Sequence, residues 1–168
     1  MMDNKLTYVL GKICEDSLPG KKTVQKLMYL VERKGLDLGL DYTIHFYGPY
    51  SADLDHSLHV MESNNIISIN TAGMTHTIKM SKRQRTNPLD AREDDALNNV
   101  LSVFSNKSAL ELELITTTDY AANEMIESSE LSQENIISLV KRIKGEKFSE
   151  AQIISSIEVL KQYGFLEI

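Results

Sequence analysis

The chain has 168 residues, 42% of them hydrophobic, with no Trp, only 3 Pro and no low-complexity run, so it suits one compact domain or two small ones and not a long disordered segment. No apolar run approaches the ~20 residues a membrane helix needs. The N-terminus MMDNKLTYVLGKICEDS lacks a signal peptide's basic start and apolar run, and a single Cys makes no internal disulfide, so a cytoplasmic protein is expected. The net charge of −6 is uneven: residues 1–88 carry 11 Lys+Arg against 9 Asp+Glu, and residues 89–168 carry 7 against 15, so any nucleic-acid contact is expected from the first half.

Leu6, Val9, Leu10 and Ile13 mark a first amphipathic helix, with Cys14 beside its stripe as a small buried side chain. Leu18-Pro19-Gly20 connects it to a second helix, KKTVQKLMYLVERKG, whose inner face is Val24, Leu27, Met28 and Val31 and whose stop is Gly35. Lys21, Lys22 and Lys26 gather at the wrong end of that helix for its dipole. This is a small hint that they face a partner's negative charge; ordinary solvated lysines are the plainer reading.

Tyr42, Ile44 and Phe46 alternate with Thr43, His45 and Tyr47, the pattern of a half-buried strand that Gly48-Pro49 should end. Ser51 stands where a helix N-cap belongs, and Asp53 and Asp55 in the first turn suit the positive end of the dipole. Leu54, Leu58 and Met61 give that helix one apolar face, and Asn64-Asn65 stops it. Ile66, Ile67 and Ile69 form one strand and Ile78 and Met80 another, with Thr71-Ala72-Gly73 as the expected hairpin turn. This order is the third helix and wing of a winged helix, with three strands expected in one sheet. Lys79, Lys82, Arg83 and Arg85 then place four cations at the end of the wing, a candidate phosphate-contacting patch.

Asn87-Pro88-Leu89-Asp90 reads as a new helix start with Asn87 as cap, and Ala96, Leu97, Val100, Leu101 and Phe104 as core face. Ser108-Ala109-Leu110-Glu111 is a capping box. The helix behind it is expected to bury Leu110, Leu114, Ala121 and Met125, with Leu112, Ile115 and Ala122 alongside, and to survive three consecutive Thr by packing. Ser132 starts a helix with Ile136, Ile137, Val140 and Ile143 that ends near Gly145. Ser149-Glu150-Ala151-Gln152 is a second box, opening a helix capped by Gly164. Shifted by 99 residues, Leu54, Leu58, Met61, Asn65, Ile67 and Ile69 fall on Ile153, Ile157, Leu160, Gly164, Leu166 and Ile168, so both stretches read as helix, left-handed cap and short strand.

Gln25-Lys26-Leu27-Met28-Tyr29-Leu30, then Phe46-Tyr47-Gly48-Pro49-Tyr50-Ser51 and the apolar helix after it, resemble the YwgA-like proteins and the related Panacea domain of SocA-type antitoxins. Leu112-Glu113-Leu114-Ile115 to Tyr120, and the Lys147-Phe148-Ser149 helix ending in Gly164-Phe165-Leu166, extend the similarity more loosely. The resemblance implies a mostly helical, winged-helix-like protein without known catalytic residues. For Panacea-type members it implies neutralising a toxin, or handing it to a protease, by direct protein contact.

His56 and His59, with Asp53 or Asp55, form a weak candidate metal set, but a zinc site wants three or four ligands, so no metal or cofactor is expected. Acid pairs such as Asp94-Asp95, or Glu111 and Glu113, read as solvated helix surface. No nucleophile elbow, zinc-protease helix, phosphate loop or dinucleotide fingerprint occurs, and no enzyme is expected. A groove-reading helix should present cations and amides; here it presents Asp53, Asp55, His56, His59 and Glu62. Tyr42, Phe46, Tyr47 and Tyr50 cluster at one turn, and tyrosines are favoured interface anchors.

The expected fold is α+β and mostly α: a winged-helix-like half over 1–87 with a small antiparallel sheet, then a four-helix bundle over 88–168. The expected function is a non-enzymatic protein-interaction module, antitoxin-like or regulatory, contacting a protein partner, a toxin for example, through Tyr47, Gly48, Pro49, Tyr50, Ser51 and Asp53. The alternative is a DNA-binding regulator using Lys79, Lys82, Arg83 and Arg85. No membrane partner is expected. A homodimer is compatible with the sequence, though no heptad or apolar patch fixes one.

Overall fold

The computed structural model describes residues 4–168 and is α+β, mostly α, with seven helices and two two-stranded antiparallel sheets among those residues. The chain divides into two compact units. The first takes the chain up to Thr43 together with Tyr50–Lys107; the second takes Ile44–Pro49 and Ser108–Ile168.

In the first unit, α1 (Asn4–Ile13) and α2 (Lys21–Arg33) bury the two expected stripes, and Gly35 leaves α2 at φ 105°. Strand β1 (Thr43–His45) does not end at Gly48-Pro49. The chain reverses at Phe46-Tyr47, and Gly48–Tyr50 returns as β2, paired with β1. Helix α3 (Ala52–Ser63) follows, with the Ser51 hydroxyl accepting from Leu54 N at 3.1 Å and Leu54, Leu58 and Met61 buried. Asn65, at φ 57°, closes it, and Ile66 N donates to Met61 O at 2.9 Å.

The wing is β3 (Ile67–Ala72) against β4 (Thr75–Met80), in a register from Ile67 opposite Met80 to Ala72 opposite Thr75. Its turn is therefore Gly73-Met74, one step beyond the expected Thr71-Ala72-Gly73. Gly73, at φ 63°, supplies the glycine that a type II′ turn wants first. The three-stranded sheet also needs correction. β1 spends its hydrogen bonds on β2, and among the described residues only an isolated Gly20–Thr77 bridge, with Ile78 N donating to Pro19 O at 2.8 Å, extends the wing. Helix, bridge, helix, helix, wing is nonetheless the winged-helix order, with the β1–β2 hairpin inserted before α3.

Helix α4 (Ala91–Phe104) packs on α2 and belongs to the first unit, although the expected division at 87/88 lies ahead of it. Its cap is Asp90, not Asn87: Asp90 and Glu93 close a capping box, while Asn87 Oδ1 accepts from Leu89 N at 2.9 Å and makes a turn first.

The second unit packs three helices on one another, α5 (Ala109–Glu124), α6 (Gln133–Lys144) and α7 (Glu150–Gln162), instead of the expected four. All three have the expected serine caps, Ser108, Ser132 and Ser149. Helix α5 is its centre, buried continuously from Leu112 to Asp119. Thr116 and Thr118 survive there because their hydroxyls donate back to Leu112 O and Leu114 O, each at 2.7 Å. Leu110 is exposed and Met125 only half-buried at the C-cap, because burial of the middle leaves the two ends of α5 uncovered. Gly164, at φ 77°, caps α7 with Phe165 N donating to Leu160 O at 2.8 Å, the same arrangement as at Asn65. The strand expected after it does not form; no strand is assigned at 166–168.

Candidate functional site

The turn between β1 and β2 is built against α5. Gly48 has φ 101°, and a Cβ placed on it would lie 3.1 Å from Thr117 Oγ1 and 3.3 Å from Thr116 Oγ1. The threonine row thus lets a bare backbone come close, and only glycine combines that approach with this φ. Pro49 is buried beside it, and Lys144 Nζ, from the last turn of α6, donates to the Phe46 carbonyl. With its backbone held from within, the turn presents its rings outward: Phe46 is 92% exposed and Tyr47 43%.

Below the turn lies a charge cluster. Glu113 on α5 is 3% exposed, so its expected solvated position is corrected: it falls on the helix face that packing covers. Lys147 Nζ lies 3.0 Å from its Oε1 and 2.8 Å from its Oε2, and Lys144 Nζ lies 3.8 Å from Oε2. Two ammonium groups therefore share one carboxylate, with an excess of one positive charge. Burial lowers the Lys144 pKa; Glu113 pulls it back up, and the neighbouring Lys147 charge lowers it again. Lys147 Nζ also lies 5.5 Å from the Tyr47 ring centroid and 5.8 Å from that of Phe148, within cation–π range. Ile44, His45, Phe46, Tyr47, Ile143, Lys144 and Lys147 line a groove of about 840 Å³ here.

The residues singled out from sequence divide. Tyr47, Gly48 and Pro49 belong to this groove and its support; Tyr50, Ser51 and Asp53 belong to the first unit. Ser51 is fully buried, its backbone N–H donating to Gln25 Oε1 at 2.8 Å and its carbonyl accepting from Gln25 Nε2 at 2.9 Å. Tyr50 is half-buried and its hydroxyl bonds Asp55; burial first, then that carboxylate, raises its pKa. Asp53 is exposed. Lys26 is buried, and Lys21 lies 3.2 Å from Asp55 and 3.4 Å from His59, so an internal cation meets the side chains considered for metal. Among the described residues no group of three His, Cys, Asp or Glu could hold a metal ion.

The basic run lies at the foot of the wing, since the tip is Gly73-Met74. Lys79, Lys82 and Arg85 are exposed there, while Arg83 lies 4.0 Å from Glu15 and 3.5 Å from the Cys14 carbonyl. Cys14 is buried and free; burial pushes its thiol up to about 11, against the pull of Arg83. Sequence reasoning missed Phe46, Glu113, Lys144 and Lys147 as a group. A signal was present: four of the seven cations of residues 89–168 are Lys141, Arg142, Lys144 and Lys147. Among the described residues no helix is long and apolar enough to cross a membrane. Against known proteins, no family model matches the chain, and no curated protein matches it significantly.

Proposed function

We propose that the chain is a non-enzymatic protein-interaction module, antitoxin-like or regulatory, that grips a protein partner through the hairpin turn at Phe46-Tyr47. The observation that carries this reading is the pair of exposed rings on a turn already fixed from within by Gly48 and Lys144. Aromatic side chains contribute most to interfaces when they are ordered before binding, because less entropy is lost on association. The resemblance to Panacea-type antitoxins supports the same class, with a toxin as the partner to look for. A reducing cytoplasm suits the one free, buried cysteine.

The test is a Phe46→Ala/Tyr47→Ala variant. It should lose partners captured by the unaltered chain while its Tm moves by no more than about 2 °C, since both rings are partly or wholly in solvent already. Capture of the same partners by both chains would end this reading. The winged-helix order of the first unit and the exposed Lys79, Lys82 and Arg85 favour a second reading, a regulator that touches DNA phosphates. Against it, Asp53 and Asp55 stand in the first turn of α3 and Arg83 is engaged with Glu15. A duplex gel shift decides: steep loss with salt, weakened by Lys82→Ala, supports the regulator.

A further inference from the structure

Resting on the interaction reading of the hairpin turn, we propose that the groove beside it takes an acidic peptide segment of the partner, with an aliphatic side chain against Ile44 and Ile143 and a neighbouring carboxylate at Lys147. Three observations fit that occupant. The groove wall mixes branched aliphatic side chains with the exposed Phe46 ring, which suits a single apolar side chain. Its polar end carries two ammonium groups on one buried carboxylate, so one positive charge is left over. The Lys147 side chain is 39% exposed, so a ligand can reach the ammonium that Glu113 already holds in place.

Charge also separates this occupant from a nucleic acid strand. A phosphate backbone brings one negative charge per nucleotide and needs a track of cations. Here Glu113 takes up half of the local positive charge, and residues 89–168 hold 15 carboxylates against 7 cations. One or two carboxylates beside an apolar anchor match the excess; a polyanion does not. Glu113 acts as a positioning residue, holding Lys147 over the groove.

The experiment pans a displayed library of random peptides on the full chain and discards clones that still bind Phe46→Ala. The retained clones should be enriched in Asp and Glu next to Leu, Ile or Val. A synthetic peptide from one such clone should bind Lys147→Gln about threefold to tenfold more weakly, the size expected of one partly exposed charge pair, and Lys147→Arg nearly as well as the unaltered chain. Should Lys147→Gln alone fold poorly, the unaltered chain carries the test: it should bind a copy of the peptide with Gln and Asn in place of Glu and Asp about threefold to tenfold more weakly, and its affinity for the acidic peptide should fall as salt rises. Retained clones that are neutral or basic, or an acidic clone indifferent both to Lys147→Gln and to loss of its own carboxylates, would overturn the acidic occupant and leave the interaction surface standing. Displacement of the peptide by an oligothymidylate at equal concentration would overturn it in favour of single-stranded nucleic acid. Absence of any Phe46-dependent clone would overturn the hairpin reading itself.

Discussion

At the scale of single residues, Glu32 is held where its charge is unwelcome. It is half-buried at the end of α2, its Oε1 accepts from Leu40 N at 3.2 Å, and burial, with the nearby Asp37 and Asp41 carboxylates adding to it, raises its pKa from 4.5 to about 7 against the pull of the Leu40 and Leu38 amides. The folded chain therefore keeps a proton that the unfolded chain loses first. Stability is highest below the unfolded value, falls as pH rises toward about 7, and is flat above it. Discounted for partial exposure, the loss is on the order of 1–2 kcal/mol. Urea unfolding at about pH 5 and about pH 8 checks this, and Glu32→Gln should flatten the profile. Gln25 offers a second case. Its amide pairs with both backbone polar groups of the buried Ser51, so Gln25→Ala should cost about 2–3 kcal/mol in chemical denaturation. Cys14 should resist alkylation near pH 8 in the folded chain and react on unfolding, as its raised thiol pKa leaves little thiolate.

At the scale of elements, the same physics separates what was legible from what was not. Four helix caps were readable because they are local: Ser51, Ser108, Ser132 and Ser149 each accept from a backbone N–H three residues on, whereas at α4 Asn87 and Asp90 both offer a side-chain oxygen and Asp90 takes the cap. Ser149→Ala should lower stability by about 1 kcal/mol, measured by thermal melting. The β1–β2 hairpin was not readable. Gly48-Pro49 looks like a stop, and what makes it a return strand is the approach of α5 at Thr116 and Thr117, 68 and 69 residues away in sequence. Gly48→Ala should therefore destabilise by about 1–3 kcal/mol, combining an unfavourable φ with contacts of 3.1 and 3.3 Å, and should disturb the turn that carries Phe46. Circular dichroism melting reads the first effect and partner binding the second.

For the whole molecule, a segment from inside the first unit, Ile44–Pro49, completes the second. A polypeptide of residues 108–168 alone lacks the turn that Gly48 sets against Thr116 and Thr117 and that Lys144 holds by the Phe46 carbonyl. Its near-UV circular dichroism should be weaker and its melting broader than those of a version with residues 44–49 restored through a flexible linker.

The amino-acid sequence by itself determined the α+β class, the helices, the serine caps Ser51, Ser108, Ser132 and Ser149 and most of the inner stripes, because periodicity and capping depend on residues within four positions of one another. Tertiary structure alone decided that Glu113 is buried, that Lys144 at the end of α6 and Lys147 just after it share it, and that Phe46 faces outward beside them. Charge pairing and turn direction at these positions depend on segments roughly 30 to 100 residues apart, and no local pattern encodes which of them will meet.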